Sequence, residues 1–199
     1  MYTELKKCLS LINNNWPYQN NLDDKKTNFI YKCNTVDEVI KYTTYYKADL
    51  NYALHRWYNF QTSLQVENMF CSLGAIKETN QFHHDIDIYI NNIPFDVKLT
   101  VYPSKLNHLI DPTTRDGKNQ LITWYYNNQS QGSRKQIVNR LYVVVDGINN
   151  LALKSNKFLI FPRIQNYMAY VHTYGLNQLF INLDGNFYKI YSDLVYIKG

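Results

Sequence analysis

The chain of 199 residues has only three cysteines, Cys8, Cys33 and Cys71, an odd number with no Cys-x-x-Cys pair. That argues against a disulfide framework and a structural zinc site, and leaves reduced, mostly buried thiols as the expectation. No stretch approaches the roughly 18 consecutive apolar residues of a membrane span. The opening segment, MYTELKKCLSLINNNW, carries Glu4 and two lysines and lacks the unbroken apolar segment of a signal peptide. A cytoplasmic protein with no membrane partner is expected. Glycine (7) and proline (5) are scarce, and there is no linker, repeat or low-complexity tract, so a single domain over 1–199 is expected.

The formal net charge is +5, from 21 Lys+Arg against 16 Asp+Glu. This balance permits a polyanionic partner and equally fits ordinary solvated lysines. The 19 tyrosines accompany abundant Asn, Lys and Ile, the mark of an AT-rich coding sequence, so their number alone carries little functional meaning.

Thr35 followed three residues later by Glu38 is a capping box, and Val36, Val39 and Ile40 follow at helical spacing, which predicts a helix from about residue 36. A second helix is predicted from near Asp49 to about Ser72, stopped by Gly74. Along it Trp57, Phe60, Leu64 and Cys71 form a core-facing stripe. Glu67 falls on that stripe, where a carboxylate needs a cation or strong donors unless the edge of the stripe is solvated. After Gly74 the apolar period changes to two, predicting a short strand in AIKET (75–79) and strands at 81–90 and 93–102. Pro103, Pro112 and Gly117 punctuate a polar stretch that reads as a long loop. Residues 120–129 and 133–141 read as helical, and LYVVVDG (141–147) as a fully buried strand. An ambiguous helical segment from about Ser155 to Tyr174 precedes Asp184-Gly185, a hairpin signal between alternating apolar runs.

The segment HHDIDIYINNIPFDVKLT (83–100) holds the chemistry. With Asn91-Asn92 as a two-residue turn, Ile90 pairs with Ile93, Ile88 with Phe95 and Ile86 with Val97, giving one apolar face. On the other face Asp87 lies opposite Asp96, and Asp85 opposite Lys98. Two carboxylates so close repel unless something positive sits between them. A divalent cation such as Mg²⁺ is the economical solution, because it takes hard oxygen ligands and keeps open water positions for a phosphate. On this reading, removing either charge relieves repulsion and leaves the fold intact or slightly stabilised.

Asp87, then Asp96-Val97-Lys98 as a (D/E)-x-K element on the neighbouring strand, resembles the PD-(D/E)xK nuclease superfamily, the restriction-endonuclease-like fold. Glu67 matches the acid that many members contribute from the first core helix. The resemblance covers about residues 50–146 and departs from the pattern in two ways: no proline precedes Asp85 or Asp87, and the acid of the tripeptide is Asp rather than the commoner Glu. It implies a mixed α/β (α+β) sheet with an αβββαβ core, here with an N-terminal helical extension (1–49) and a C-terminal helix and hairpin (147–199). It further implies a Mg²⁺- or Mn²⁺-dependent nuclease acting on double-stranded DNA. The catalytic residues would be Glu67, Asp87, Asp96 and Lys98, and Asp85 would be an additional acid near the metal or a partner of Lys98. Cutting both strands of a duplex calls for two active sites, so a homodimer is expected.

Around this set, His83 is either a phosphate contact or an exposed strand histidine. Lys105, Asn107, His108, Arg115 and Lys118 make the long loop a candidate for nucleic-acid contact. Gln129, Arg134, Lys135 and Arg140, around the second core helix, either hold the scissile strand or are solvated helix residues. The rival reading is a non-catalytic nucleic-acid-binding or interaction protein on the same scaffold, since fold alone does not fix activity.

Overall fold

A computed structural model describes residues 2–13, 19–80, 83, 85–128, 138–183 and 185–199. The chain divides into two compact units, Met1–Gln65 and Val66–Gly199.

The first unit is helical: α1 (Tyr2–Leu11), α2 (Asn21–Lys26), a 3₁₀ turn at Asn28–Lys32, α3 (Val36–Tyr46) and most of α4 (Leu50–Ser72). The capping box of α3 is formed as predicted, with Thr35 accepting from the Glu38 amide and Glu38 accepting from the Thr35 amide. Within the unit Leu5, Cys8, Ile30, Val36, Val39, Leu54 and Trp57 are buried, and the Trp57 indole donates to the Cys33 carbonyl at 2.9 Å. Burial pushes the Cys8 thiol up to about 12 and the Cys33 thiol to about 11, which keeps both as unreactive thiols.

The second unit is built on one six-stranded sheet: β1 (Ile76–Lys77), β2 (Ile88–Ile90), β3 (Ile93–Val101), β4 (Arg140–Asp146), β5 (Gln178–Leu183) and β6 (Asn186–Lys198), in the order β1-β2-β3-β4-β6-β5. The first three form an antiparallel meander; β4 is parallel to β3 and to β6, and β5 closes the far edge antiparallel to β6. Helix α5 (Arg115–Asn128) links β3 to β4, while α6 (Asn150–Ser155) and α7 (Lys157–Tyr174) follow β4. One sheet face, with Ile88, Phe95, Val97, Val143 and Val195, packs against Val66 and Phe70 of α4 and Ile160, Ile164 and Met168 of α7. The opposite face, with Tyr142, Val144, Ile181 and Leu194, is covered by Leu121, Ile122 and Tyr125 of α5. The result is a mixed α/β unit with helices on both faces of its sheet.

The β2–β3 hairpin has the predicted register, Ile88 opposite Phe95 and Ile90 opposite Ile93. Asn91 and Asn92 take φ of 51° and 63°, the two positive angles a type I′ turn demands. Beyond Ile88 the expectation fails. β2 has three residues, the Ile86 amide turns back to the His83 carbonyl, and the Asp87 side chain accepts from the Val97 amide at 2.7 Å. A side chain there occupies the donor, so the pairs Ile86–Val97 and Asp85–Lys98 do not form.

Four other boundaries move. The AIKET strand shrinks to two residues. Helix α5 starts at Arg115, inside the expected loop, because the Thr114 hydroxyl accepts from the Gly117 amide at 3.0 Å and begins the first turn. Of the helix expected at 133–141, residues 133–137 lie outside the described residues, 138–139 are irregular, and Arg140 and Leu141 open the buried strand β4. The segment expected to be helical from about 155 to 174 starts at Lys157 as α7, behind a separate short helix α6, with Asn156 capping α7 through the Leu159 amide. The α4 stripe is also rotated: Trp57 is buried, but Phe60, Leu64 and Cys71 are only partly so, and Val66 and Phe70 take the core side in the second unit. Among the described residues no helix is long and apolar enough to cross a membrane.

Candidate active site

Along β3 the alternation of a strand turns Phe95 and Val97 into one core and puts Asp96 and Lys98 on the other face. Parallel pairing sets Asp96 beside Arg140 and Lys98 beside Tyr142 of β4. The Asp96 carboxylate is buried, and each of its oxygens meets a cation. Lys98 Nζ donates to Oδ1 at 2.6 Å and Arg140 Nε to Oδ2 at 3.3 Å. The Arg140 guanidinium also lies over the Tyr126 ring, 5.1 Å from its centre, a contact suited to a planar, weakly hydrated cation. Lys98 is different, because its side chain is 44% exposed and its ammonium reaches solvent.

Asp87 ends the β2–β3 ladder. One oxygen takes the Val97 amide, and among the described residues it forms no ion pair. Burial pushes its carboxyl up to about 6, and the negative charges of Glu67 and Asp96 push the same way, against the Val97 amide and Lys98. The other three residues singled out from the sequence, Glu67, Asp96 and Lys98, therefore all act on Asp87 electrostatically. Glu67, in the part of α4 within the second unit, pairs with Lys77 of β1. That cation answers the question its place on the helix raised. Among the described residues no three His, Cys, Asp or Glu side chains converge as a ready metal-ligand group. The donor chemistry nevertheless fits a hard cation at Asp87, a carboxylate held by one neutral donor in a field made negative by two further acids.

The other expected residues go to varied places. Asp85 lies in the turn ahead of β2, off the ladder, and Lys98 is paired with Asp96 instead. His83 Nδ1 lies 2.7 Å from Glu78 Oε2, which also accepts from the Tyr89 hydroxyl at 2.5 Å. The Tyr89 hydroxyl, then the Asn80 amide and His83, hold the Glu78 carboxyl down at about 2. Lys105 is exposed on a 3₁₀ turn, Ser104–Leu106, past the end of β3. At about 3.3 Å per residue, five residues of strand place Asp96 roughly 16 Å from Val101, so Lys105 and the carboxylates occupy different ends of β3. His108 Nε2 sits 3.1 Å from both oxygens of Asp146, its ring stacked on Tyr102 at 4.7 Å. Arg115 is the first residue of α5 and donates to the buried Asp193 at 2.9 Å; Lys118, its ammonium pKa lowered by burial, faces the same carboxylate. Gln129, Arg134 and Lys135 lie outside the described residues.

Arg140 and Lys77 are the residues sequence reasoning missed or misplaced. Arg140 was read as a helix residue, although its position directly before an unbroken apolar run marks it as the first residue of a strand. Lys77 carried no local signal, because its partner is on the preceding helix. The chain matches no family model, no curated protein and no solved structure.

Proposed function

We propose that the second unit is a restriction-endonuclease-like domain and that the protein is a Mg²⁺- or Mn²⁺-dependent nuclease cutting duplex DNA in the cytoplasm, with two copies supplying the two cuts. The observation that carries this reading is a half-buried Asp87, which among the described residues forms no ion pair, tied by the Val97 amide to the Asp96-Val97-Lys98 strand beside it. Asp87 and Asp96 would hold the cation, with Glu67 near its water side. When bound, the ion supplies an acidified water and a counter-charge for the phosphate. Lys98 donates to Asp96 and has a part-exposed side chain on the same face, a position from which an ammonium would orient an attacking water and meet charge growing on a phosphate oxygen. Arg140 acts through Asp96, fixing one of its oxygens.

Plasmid, linear duplex, single-stranded DNA and RNA incubated with Mg²⁺, Mn²⁺ or EDTA test the proposal. The parent should cut duplex DNA with metal and not with EDTA. Lys98→Ala should lose about 10²-fold or more in rate while still shifting DNA in a gel with Ca²⁺, and Lys98→Arg should not rescue it. Cleavage at the parent rate by Lys98→Ala removes this lysine from the chemistry. A second reading has its own support: Lys98–Asp96 and Lys77–Glu67 already neutralise two of the acids without a metal. A calorimetric titration with no Mn²⁺ binding would favour that non-catalytic binding module.

A further inference from the structure

The surface of the first unit carries a feature the nuclease reading does not use. Helix α3 buries Val36, Val39 and Thr43, and presents Tyr42, Tyr45 and Tyr46, at spacings of three and four, on its outer side. Tyr45 is 76% exposed, Tyr46 51% and Tyr42 38%. These rings lean on one another and on Phe29 from the preceding 3₁₀ turn. Phe29 and Tyr46 are stacked at 5.4 Å with planes 11° apart, Phe29 and Tyr42 lie 5.9 Å apart, and Tyr45 meets Tyr46 edge-on at 4.9 Å. The face is thus a braced shelf of aromatic rings open to solvent rather than scattered tyrosines.

Its charges have one sign. The run Lys41-Tyr-Thr-Thr-Tyr-Tyr-Lys47 contains two lysines and no acid, and Lys41 and Lys47 are exposed at its ends. The left-handed backbone at Lys47, φ 49°, ends the helix at that residue and keeps the second lysine beside the last tyrosines. Rings with open faces, flanked by cations and with no competing carboxylate in the run, suit a ligand that is both anionic and flat-faced. A duplex hides its base faces in the stack, whereas a single strand offers them. A second copy of this chain would bring like charge to like charge, and a purely apolar partner would have no use for the lysines.

We propose that this aromatic and basic face of α3 is a binding platform for single-stranded nucleic acid, with bases stacking on Tyr45 and Tyr46 and Lys41 and Lys47 meeting the phosphates. The platform needs neither metal nor cleavage, and shares with the nuclease reading only the class of partner.

The test is fluorescence anisotropy of labelled oligo(dT), oligo(U) and a duplex, titrated with the full chain in EDTA so that cleavage does not enter. The parent should bind the single strands more tightly than the duplex. Tyr45→Ala with Tyr46→Ala should weaken single-strand binding about 10- to 100-fold, Tyr45→Phe with Tyr46→Phe should keep it, and melting should confirm that each pair is folded. Lys41→Gln with Lys47→Gln should flatten the salt dependence by about 0.7 in log–log slope per lysine. The oligo(dT) and oligo(U) arms decide between DNA and RNA as the source. Unchanged affinity in the folded double-alanine protein overturns the proposal, as does tighter binding of duplex than of single strand. A change in sedimentation without a change in affinity also overturns it, by assigning the face to a second copy. Lys98→Ala separates the two readings, since it should lose duplex cleavage in a parallel assay with Mg²⁺ and leave single-strand binding in EDTA intact.

Discussion

Asp87 and Asp96 lie near each other at the open end of one hairpin, yet the fold treats them in opposite ways. Asp96 is on a long strand with a parallel neighbour, and a cation meets each of its oxygens. Asp87 is at the end of a three-residue strand, has one amide for a partner, and is pushed up to about 6 by burial and by the charges of Glu67 and Asp96. Asp96 is thus part of the balanced interior, whereas Asp87, among the described residues, has no ion pair of its own. The sequence reads the two as equivalent, repelling acids. The structure makes one of them structural as well as chemical.

The comparison breaks first at Asp96. Asp96→Asn removes the negative charge that the buried Arg140, which lies over Tyr126, and Lys98 both meet; the expected loss is about 3 kcal/mol of folding stability, opposite to the stabilisation that simple relief of repulsion predicts. Urea unfolding measures it, and Asp96→Leu combined with Arg140→Met should recover most of the loss. Equal stability of Asp96→Asn and the parent would mean that Arg140 does not depend on this carboxylate.

Asp87→Asn should have a smaller effect that depends on pH. Below about pH 3.8, the ordinary value, the Asp87 carboxyl is protonated in both folded and unfolded chains and costs nothing. As the pH rises from there to about 6, the unfolded chain releases the proton first, so the folded state loses stability relative to it; above 6 the cost is complete. The melting temperature of Asp87→Asn should therefore exceed the parent's at pH 7, with the difference shrinking towards pH 4. Mg²⁺ at pH 7 should raise the melting temperature of the parent and not that of the variant. A pH-independent difference would place the shift elsewhere.

The smallest stability effect belongs to Glu67→Gln. Its partner Lys77 is partly exposed, so solvent screens the pair and the loss should stay below about 1 kcal/mol. Cleavage should nevertheless fall. A variant that melts much earlier and still cuts would make Glu67 a core residue only.

The hairpin was legible in the sequence because its signals are local: the Asn-Asn turn fixes the register, and the period of two fixes the buried face. Its length was not, because one side chain, Asp87, replaces a ladder bond that periodicity assumes is made by backbone. The start of α5 was hidden behind Gly117, which reads as a breaker. There it serves a close approach, since a Cβ at that position would fall 1.7 Å from the Asp111 carbonyl. The four candidate catalytic residues were singled out by the hairpin register, the α4 stripe and the family resemblance, but Arg140 and Lys77, which pair with two of them, were not recognised as their partners. Arg140 is 44 residues from Asp96, and only the parallel pairing of β3 with β4 brings them together.

Strand β4 has a parallel neighbour on each side and is buried at every one of its seven positions, whereas β2 is three residues long and leans on a two-residue edge strand. Their amides should exchange with deuterium by different routes, those of β4 waiting for global unfolding and those of β2 escaping through local opening. Asp96, on β3, is hydrogen-bonded into the ladder beside β4, whereas Asp87 directly precedes the short β2. On the proposed reading, a cation shared between Asp87 and Asp96 would tie the short strand to its longer neighbour, and Mg²⁺ should then slow the exchange of the β2 amides more than that of the β4 amides.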